Sequence, residues 1–145
     1  MTHEDYMRMA MEEADLAVKE GNAPFGVVVV SKDGRIVAKD HDRVNALMDP
    51  TAHGEVNAIR KLCQELGTLS LKDMTFYTTS EPCPTCLSSC IKAKVKAINY
   101  GAEMELTASL PIKARDLAGQ STHPIKIVGG ILASECMKQR ERYRR

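Results

Sequence analysis

Apolar positions along the chain switch between two periods, and the switches mark out its elements. Met7, Ala10, Ala14, Ala17 and Val18 recur at helical spacing, with Glu12, Glu13, Asp15 and Lys19 mostly elsewhere. This predicts a first helix over residues 3–20, stopped at Gly21. Residues 25–31 are continuous and valine-rich, as in a buried strand. Asp33-Gly34 is a hairpin signal, so residues 35–38 are expected to pair back. Residues 40–49 read as a polar loop. Asp49-Pro50 reads as the start of a second helix. The aspartate can cap free amides there, and proline suits the first helical position because its missing N–H had no partner anyway. Val56, Ile59, Leu62, Cys63 and Leu66 continue that apolar face to Gly67. Further strands are predicted over 74–79, 95–100 and 125–128, a short helix over 84–93 and a last helix over 132–142. Residues 107–119 are helix-like but ambiguous. No repeat, low-complexity stretch or linker interrupts the series. Strands alternating with helices predict one α/β domain over 1–145. Its first strand pair is antiparallel, and its later strands, joined through helices, are parallel.

Composition narrows this picture. A chain of 145 residues buries roughly 68–70% of its unfolded surface and needs no disulfide scaffold. A net charge of +1 excludes a surface that binds polyanions as a whole, and leaves room for a local basic patch. The longest apolar run, residues 24–30, falls far short of the ~20 residues that span a bilayer. The opening Met1-Thr2-His3-Glu4-Asp5 lacks the basic start and apolar stretch of a secretory signal. The expectation is a cytoplasmic protein with no membrane partner. Its cysteines are Cys63, Cys83, Cys86, Cys90 and Cys136, and three of them crowd into one short segment. In a cytosolic protein this favours a metal or catalysis over disulfides.

Two segments carry the candidate chemistry: Thr51-Ala52-His53-Gly54-Glu55 and Glu81-Pro82-Cys83-Pro84-Thr85-Cys86. They supply one imidazole, two thiols and a spare carboxylate. Zinc takes nitrogen and sulfur ligands tetrahedrally. A helix start brings i and i+3 to one side, and its partial positive charge favours thiolate. His53 is a third candidate ligand. Three ligands and one open position form the catalytic arrangement, in which bound water becomes acidic near neutral pH. On an ideal helix Glu55 would point away from His53, which leaves it free to move protons.

Other readings compete. A lone C-x-x-C also serves structural zinc knuckles and redox pairs, although a redox pair has no use for an H-x-E at another helix start. Cys90 is the one nearby candidate for a fourth ligand of a closed Cys₃His site. Cys63 and Cys136 read as apolar helix residues and the methionines as core filler. His3 reads as surface, and His41 and His123 as solvated loop residues.

His53-Gly54-Glu55 followed by Pro82-Cys83-Pro84-Thr85-Cys86 resembles the H-x-E…P-C-x-x-C pattern of the zinc-dependent cytidine/deoxycytidylate deaminase superfamily. Ala23-Pro24-Phe25-Gly26, Asp49-Pro50-Thr51-Ala52-His53 and Ala58-Ile59-Arg60-Lys61 extend the likeness. It is nearest the guanine deaminase, cytosine deaminase and tRNA adenosine deaminase branch. It covers roughly residues 5–140 and is weakest after 101. The resemblance implies a three-layer α/β/α sandwich with a five-stranded mixed sheet. It also implies one Zn²⁺ per chain on His53, Cys83 and Cys86, with Glu55 as proton shuttle. Candidate substrate contacts are Phe25, Asp42, Asn45, Ala52, Ser80 and Glu81. The implied activity is hydrolytic release of ammonia from a small aminated heterocycle, with guanine- or cytosine-type bases first. Relatives are usually dimers, so a homodimer is expected.

The substrate branch is less legible. Gly54 matches the pattern of fungal cytosine deaminases, whereas the guanine and tRNA branches usually carry alanine. Where many relatives place a base-binding asparagine, this chain has Asp42, which accepts but does not donate when ionised. Asn45 is the alternative source of an amide. Residues 138–145 hold five basic residues against one acidic. Such a tail suits RNA phosphates, and equally the solvated end of a helix. The segment Tyr100-Gly101-Ala102-Glu103-Met104 lacks the longer Gly- and Ser-rich stretch of tRNA adenosine deaminases. The end of the chain lacks the pocket-closing tyrosine that resembles guanine deaminases, and Tyr143 is a poor substitute by position. A tRNA adenosine deaminase is therefore the second reading, and a structural zinc module or inactive subunit the third.

Overall fold

The computed structural model describes residues 1–144. Along the chain run α1 (His3–Lys19), β1 (Gly26–Val30), β2 (Ile36–His41), α2 (Val44–Leu47), α3 (Gly54–Leu66) and β3 (Thr75–Ser80). There follow α4 (Pro84–Lys92), β4 (Ala97–Ala102), α5 (Ala114–Ala118), β5 (Lys126–Val128) and α6 (Ala133–Arg142). The strands form one sheet in the order β2-β1-β3-β4-β5. β1 is antiparallel to β2 and β3, while β3, β4 and β5 are mutually parallel. The sheet is mixed, as expected.

The valine run of β1 explains the layers. Successive side chains of a strand point to opposite faces, and all of β1 is buried. Val27 and Val29 join Leu62 of α3, Leu87 of α4, Phe76 and Ile98 in one core. Val28 and Val30 join Tyr6, Met7 and Ala10 of α1 and Cys136 of α6 in another. One sheet thus separates two helical layers, a three-layer α/β/α sandwich. α1 begins with a capping box, in which the Thr2 hydroxyl accepts from the Asp5 amide and the Asp5 carboxylate from the Thr2 amide. It then lies so close to β1 that a Cβ on Gly26 would collide with the Ala10 carbonyl.

Several boundaries differ from expectation. The second helix begins at Gly54 rather than at Pro50, with His53 as its N-cap. Asp49 instead closes a local turn, its Oδ1 accepting from the Thr51 amide at 2.8 Å and the Thr51 hydroxyl at 2.7 Å. Aspartate serves such a turn as readily as a helix cap. β2 extends to His41, and the loop after it contains α2. Within 107–119, only Ala114–Ala118 is helical.

Candidate metal centre and active-site cleft

The sheet directions gather the site at one edge. The C-terminal ends of β2, β3 and β4 and the N-terminal end of β1 share that edge. The chain leaves it through Asp42, Ser80-Glu81 and Met104, and enters it at Phe25. The N-termini of α3 and α4 reach the same place through His53 and Cys83, their N-caps. Pro84 at the first position of α4 removes an amide that had no partner. A cleft of about 470 Å³ opens here, lined by Phe25, Asp42, His53, Glu55, Ser80, Glu81 and Cys83, by residues 104–110 in part, and by Arg140.

At its base three donor atoms form a triangle. His53 Nδ1 lies 3.6 Å from Cys83 Sγ and 3.2 Å from Cys86 Sγ, and the two sulfurs are 3.6 Å apart. A tetrahedral zinc with ordinary bond lengths needs about 3.8 Å between sulfurs and about 3.6 Å from nitrogen to sulfur. The triangle fits such an ion with shifts of a few tenths of an ångström. The thiols divide their protons unequally. The hydrogen bond from Cys86, and then the one with His53, pulls Cys83 down to about 4. Its hydrogen bond with Cys83 pushes His53 up to about 9. Cys86 is held as a thiol, first by its partner Cys83 and then by burial. One thiolate stands ready, and binding a soft divalent ion would displace the remaining protons.

Glu55 stands in the first turn of α3, buried and on the cleft wall. Burial pushes its carboxyl up, opposed by a hydrogen bond to Cys86 and by the charge of His53. It is outside the three-residue donor group. The helical-wheel argument for this separation does not apply, because His53 precedes the first helical residue. Gly54 lets α3 start close to the sheet. A Cβ there would sit 3.1 Å from Val27 Cγ1 and 3.2 Å from His41 Cα.

Cys90 does not join the triangle. It is fully buried in the core between α4 and the sheet, and burial raises its thiol well above the usual range. Among the described residues no fourth Cys, His, Asp or Glu completes the group.

Of the candidate substrate contacts, Phe25, Asp42, Ser80 and Glu81 line the cleft, and Asn45 and Ala52 do not. Asn45 Nδ2 donates to the Gly21 carbonyl at 3.1 Å, which turns its amide away. Ala52 is enclosed, and its carbonyl accepts from the Arg43 amide and from Asn57 Nδ2. The Asp42 carboxylate accepts from the Val44 amide at 3.1 Å, and burial raises it. Glu81 spends both oxygens on backbone, accepting from the Met104 amide at 2.9 Å and the Ala114 amide at 2.7 Å. Its carboxylate holds both ends of the segment that forms one cleft wall.

Neither this wall nor Arg140 is marked in the sequence, and Arg140 is disguised by its place in a run of tail charges. His41, expected to be a solvated loop residue, instead ends β2 and is buried. His41 is 3% exposed, with Nδ1 2.9 Å from Glu13 and Nε2 2.8 Å from Glu20. His123 likewise has a partner, bonding the Val95 carbonyl at 2.9 Å. Spacing could not reveal these contacts, because α1 and β2 meet only in the fold.

Known proteins show the same pattern. The family description "Cytidine and deoxycytidylate deaminase zinc-binding region" matches residues 1–102. The chain is 46% identical over 104 residues to the guanine deaminase of Bacillus subtilis, a match covering 71% of this chain and 66% of that enzyme. It is 35% identical over 102 residues to the tRNA-specific adenosine deaminase of Aquifex aeolicus, covering 70% and 67%. A solved structure from work on A-to-I editing by tRNA:A34 deaminases superposes with a TM-score of 0.83 at 30% identity, covering 93% of this chain and 98% of that one. The spacing of the two motifs, the sheet that brings them to one edge and these matches agree: the chain belongs to the cytidine and deoxycytidylate deaminase zinc-binding family.

Proposed function

We propose that the protein is a zinc-dependent hydrolytic deaminase of a small aminated heterocycle, working as one domain over 1–145. The observation that carries this reading is the pairing of a His/Cys/Cys triangle with a buried glutamate at the base of one cleft. His53, Cys83 and Cys86 would hold one zinc per chain. When bound, the zinc would supply Lewis-acid activation of water. Glu55 then does the proton work. It takes a proton from the attacking water and delivers it to the ring nitrogen beside the carbon that carries the amine. It passes the second proton to the amine, which leaves as ammonia while the carbon keeps the oxygen. Burial suits Glu55 to this task, because a carboxyl raised toward the working pH can both accept and donate. The N-terminus of α4 favours negative charge developing beside it.

Nucleobases are the first choice of substrate. The RNA reading is supported by the tRNA-specific relatives and the basic end of the chain, but the described part of that end is largely neutralised. Arg142 and Tyr143 engage Asp15, and Arg144 engages Glu141 and Glu105. Arg145 lies outside the described residues. A homodimer in the cytoplasm is the expected setting, and no helix among the described residues is long and apolar enough to cross a membrane.

Ammonia release from guanine, cytosine, adenine, their nucleosides and a tRNA anticodon stem-loop tests the reading. We expect turnover of a free base. Turnover of the stem-loop alone would transfer the assignment to RNA editing. No ammonia from any of them, with zinc bound, would favour a structural zinc module.

A further inference from the structure

Arg140 enters the cleft from an element that neither motif predicts. α6 packs against β4, and the Arg140 side chain, 9% exposed, crosses to the end of β3. Its Nη2 donates to Ser80 Oγ at 3.0 Å, and its Nη1 donates to the Glu103 carbonyl at 3.2 Å and faces Met137 Sδ at 3.7 Å. The nearest carboxylate is Glu105, at 3.6 Å, and Arg144 holds that carboxylate more closely, at 2.6 Å. A buried cation is thus met by neutral acceptors and by a shared counter-charge, which is costly unless something completes it.

A guanidinium carries five N–H donors and no acceptor. On Arg140 the Nε–H and one Nη2–H have no partner among the described residues. The unpartnered Nε is not sealed inside the protein, because among the described residues the one enclosed side-chain nitrogen or oxygen without a partner is Asn22 Nδ2. Arg140 is itself part of the cleft lining.

We infer that Arg140 is a specificity residue that donates to an acceptor oxygen of the substrate. The substrate is then an amino-oxo heterocycle, with its amine toward Glu55 and a ring carbonyl or its ionised form toward Arg140. This rests on the deaminase reading of the cleft and deepens it. A donor-only fork matches the carbonyl-and-ring-nitrogen edge of a guanine-type base, where both groups accept. An adenine-type base with its amine toward Glu55 offers no carbonyl to it, only ring nitrogens. Asp42, elsewhere on the cleft lining, adds an acceptor for ring N–H groups. A site built to bond a substrate group discriminates strongly against the analogue lacking it.

Titration calorimetry on zinc-loaded protein carrying Glu55→Gln, which binds without turning over, tests this inference. The ligands are guanine against 2-aminopurine and cytosine against 4-aminopyrimidine, pairs that differ by the oxo group. We expect the oxo member of at least one pair to bind roughly 10- to 100-fold more tightly, the worth of one charge-assisted hydrogen bond. Arg140→Met added to this protein should erase that ratio by weakening the oxo member alone, and Arg140→Lys should keep part of it. Equal binding within both pairs, no binding of either oxo ligand, or equal weakening of both members by Arg140→Met would overturn the inference. If Arg140→Met does not fold, the ratio in the parent and in Arg140→Lys decides. Ammonia release by the unsubstituted enzyme judges the deaminase reading separately.

Discussion

Cys83, Cys86 and Cys90 lie within one helical turn or two of each other, yet only the first two face His53. Cys83→Ala and Cys86→Ala should each abolish stoichiometric zinc. Cys90→Ala should keep it and lower stability by about 1–2 kcal/mol, because it leaves a small cavity in a dry core. Metal analysis and urea unfolding read the two effects, and loss of zinc from Cys90→Ala would restore the closed Cys₃His site. Glu81 shows why a residue's type and position do not reveal its role. It sits in the second motif as a plausible substrate contact, but both its oxygens are occupied by the amides of Met104 and Ala114. Glu81→Ala should cost about 2–3 kcal/mol, since it strands two amide donors. It should also speed hydrogen exchange at those two amides. Unchanged exchange there would remove Glu81 as the anchor of that wall.

At the level of elements, the amphipathic helices and the buried valine strand were legible because burial imposes its period directly on the sequence. The register of β2 and the start of α3 were not. Asp49-Pro50 is compatible with both a helix start and a turn, and the choice depends on His53 having to cap α3 beside α4. Pro50 therefore lies outside the helix, and Pro50→Ala should change stability by less than about 0.5 kcal/mol, as at an ordinary surface position. A gain of about 1 kcal/mol or more, as when a proline is removed from a helix, would place Pro50 in the helix after all. The wall formed by residues 104–110 was invisible for a different reason. Its Leu106 and Leu110 are exposed, so no burial pattern marks it, and its position comes from Glu81, just past the end of β3.

For the molecule as a whole, one sheet serves two cores and one edge, and the catalytic candidates depend on both layers staying in place. His41 is one such tie, joining α1 to the end of β2 through Glu13 and Glu20. His41→Leu should destabilise by about 3 kcal/mol, because it leaves the largely buried Glu13 without its partner. Zinc content should not change, and zinc loss in a folded His41→Leu protein would show that α1 sets the metal triangle. The family and the His53, Cys83 and Cys86 triangle were readable because two short motifs concentrate them. Arg140 and His41 were not, because their partners lie on elements remote in sequence. In the proposed mechanism Glu55 moves protons without holding the metal. This is tested most directly by comparing Glu55→Gln with the unsubstituted enzyme, measuring zinc and ammonia release in the same preparations. We expect zinc to be retained at one per chain and turnover to fall by roughly 10²–10⁴-fold. Retained turnover, or loss of zinc with the substitution, would contradict it.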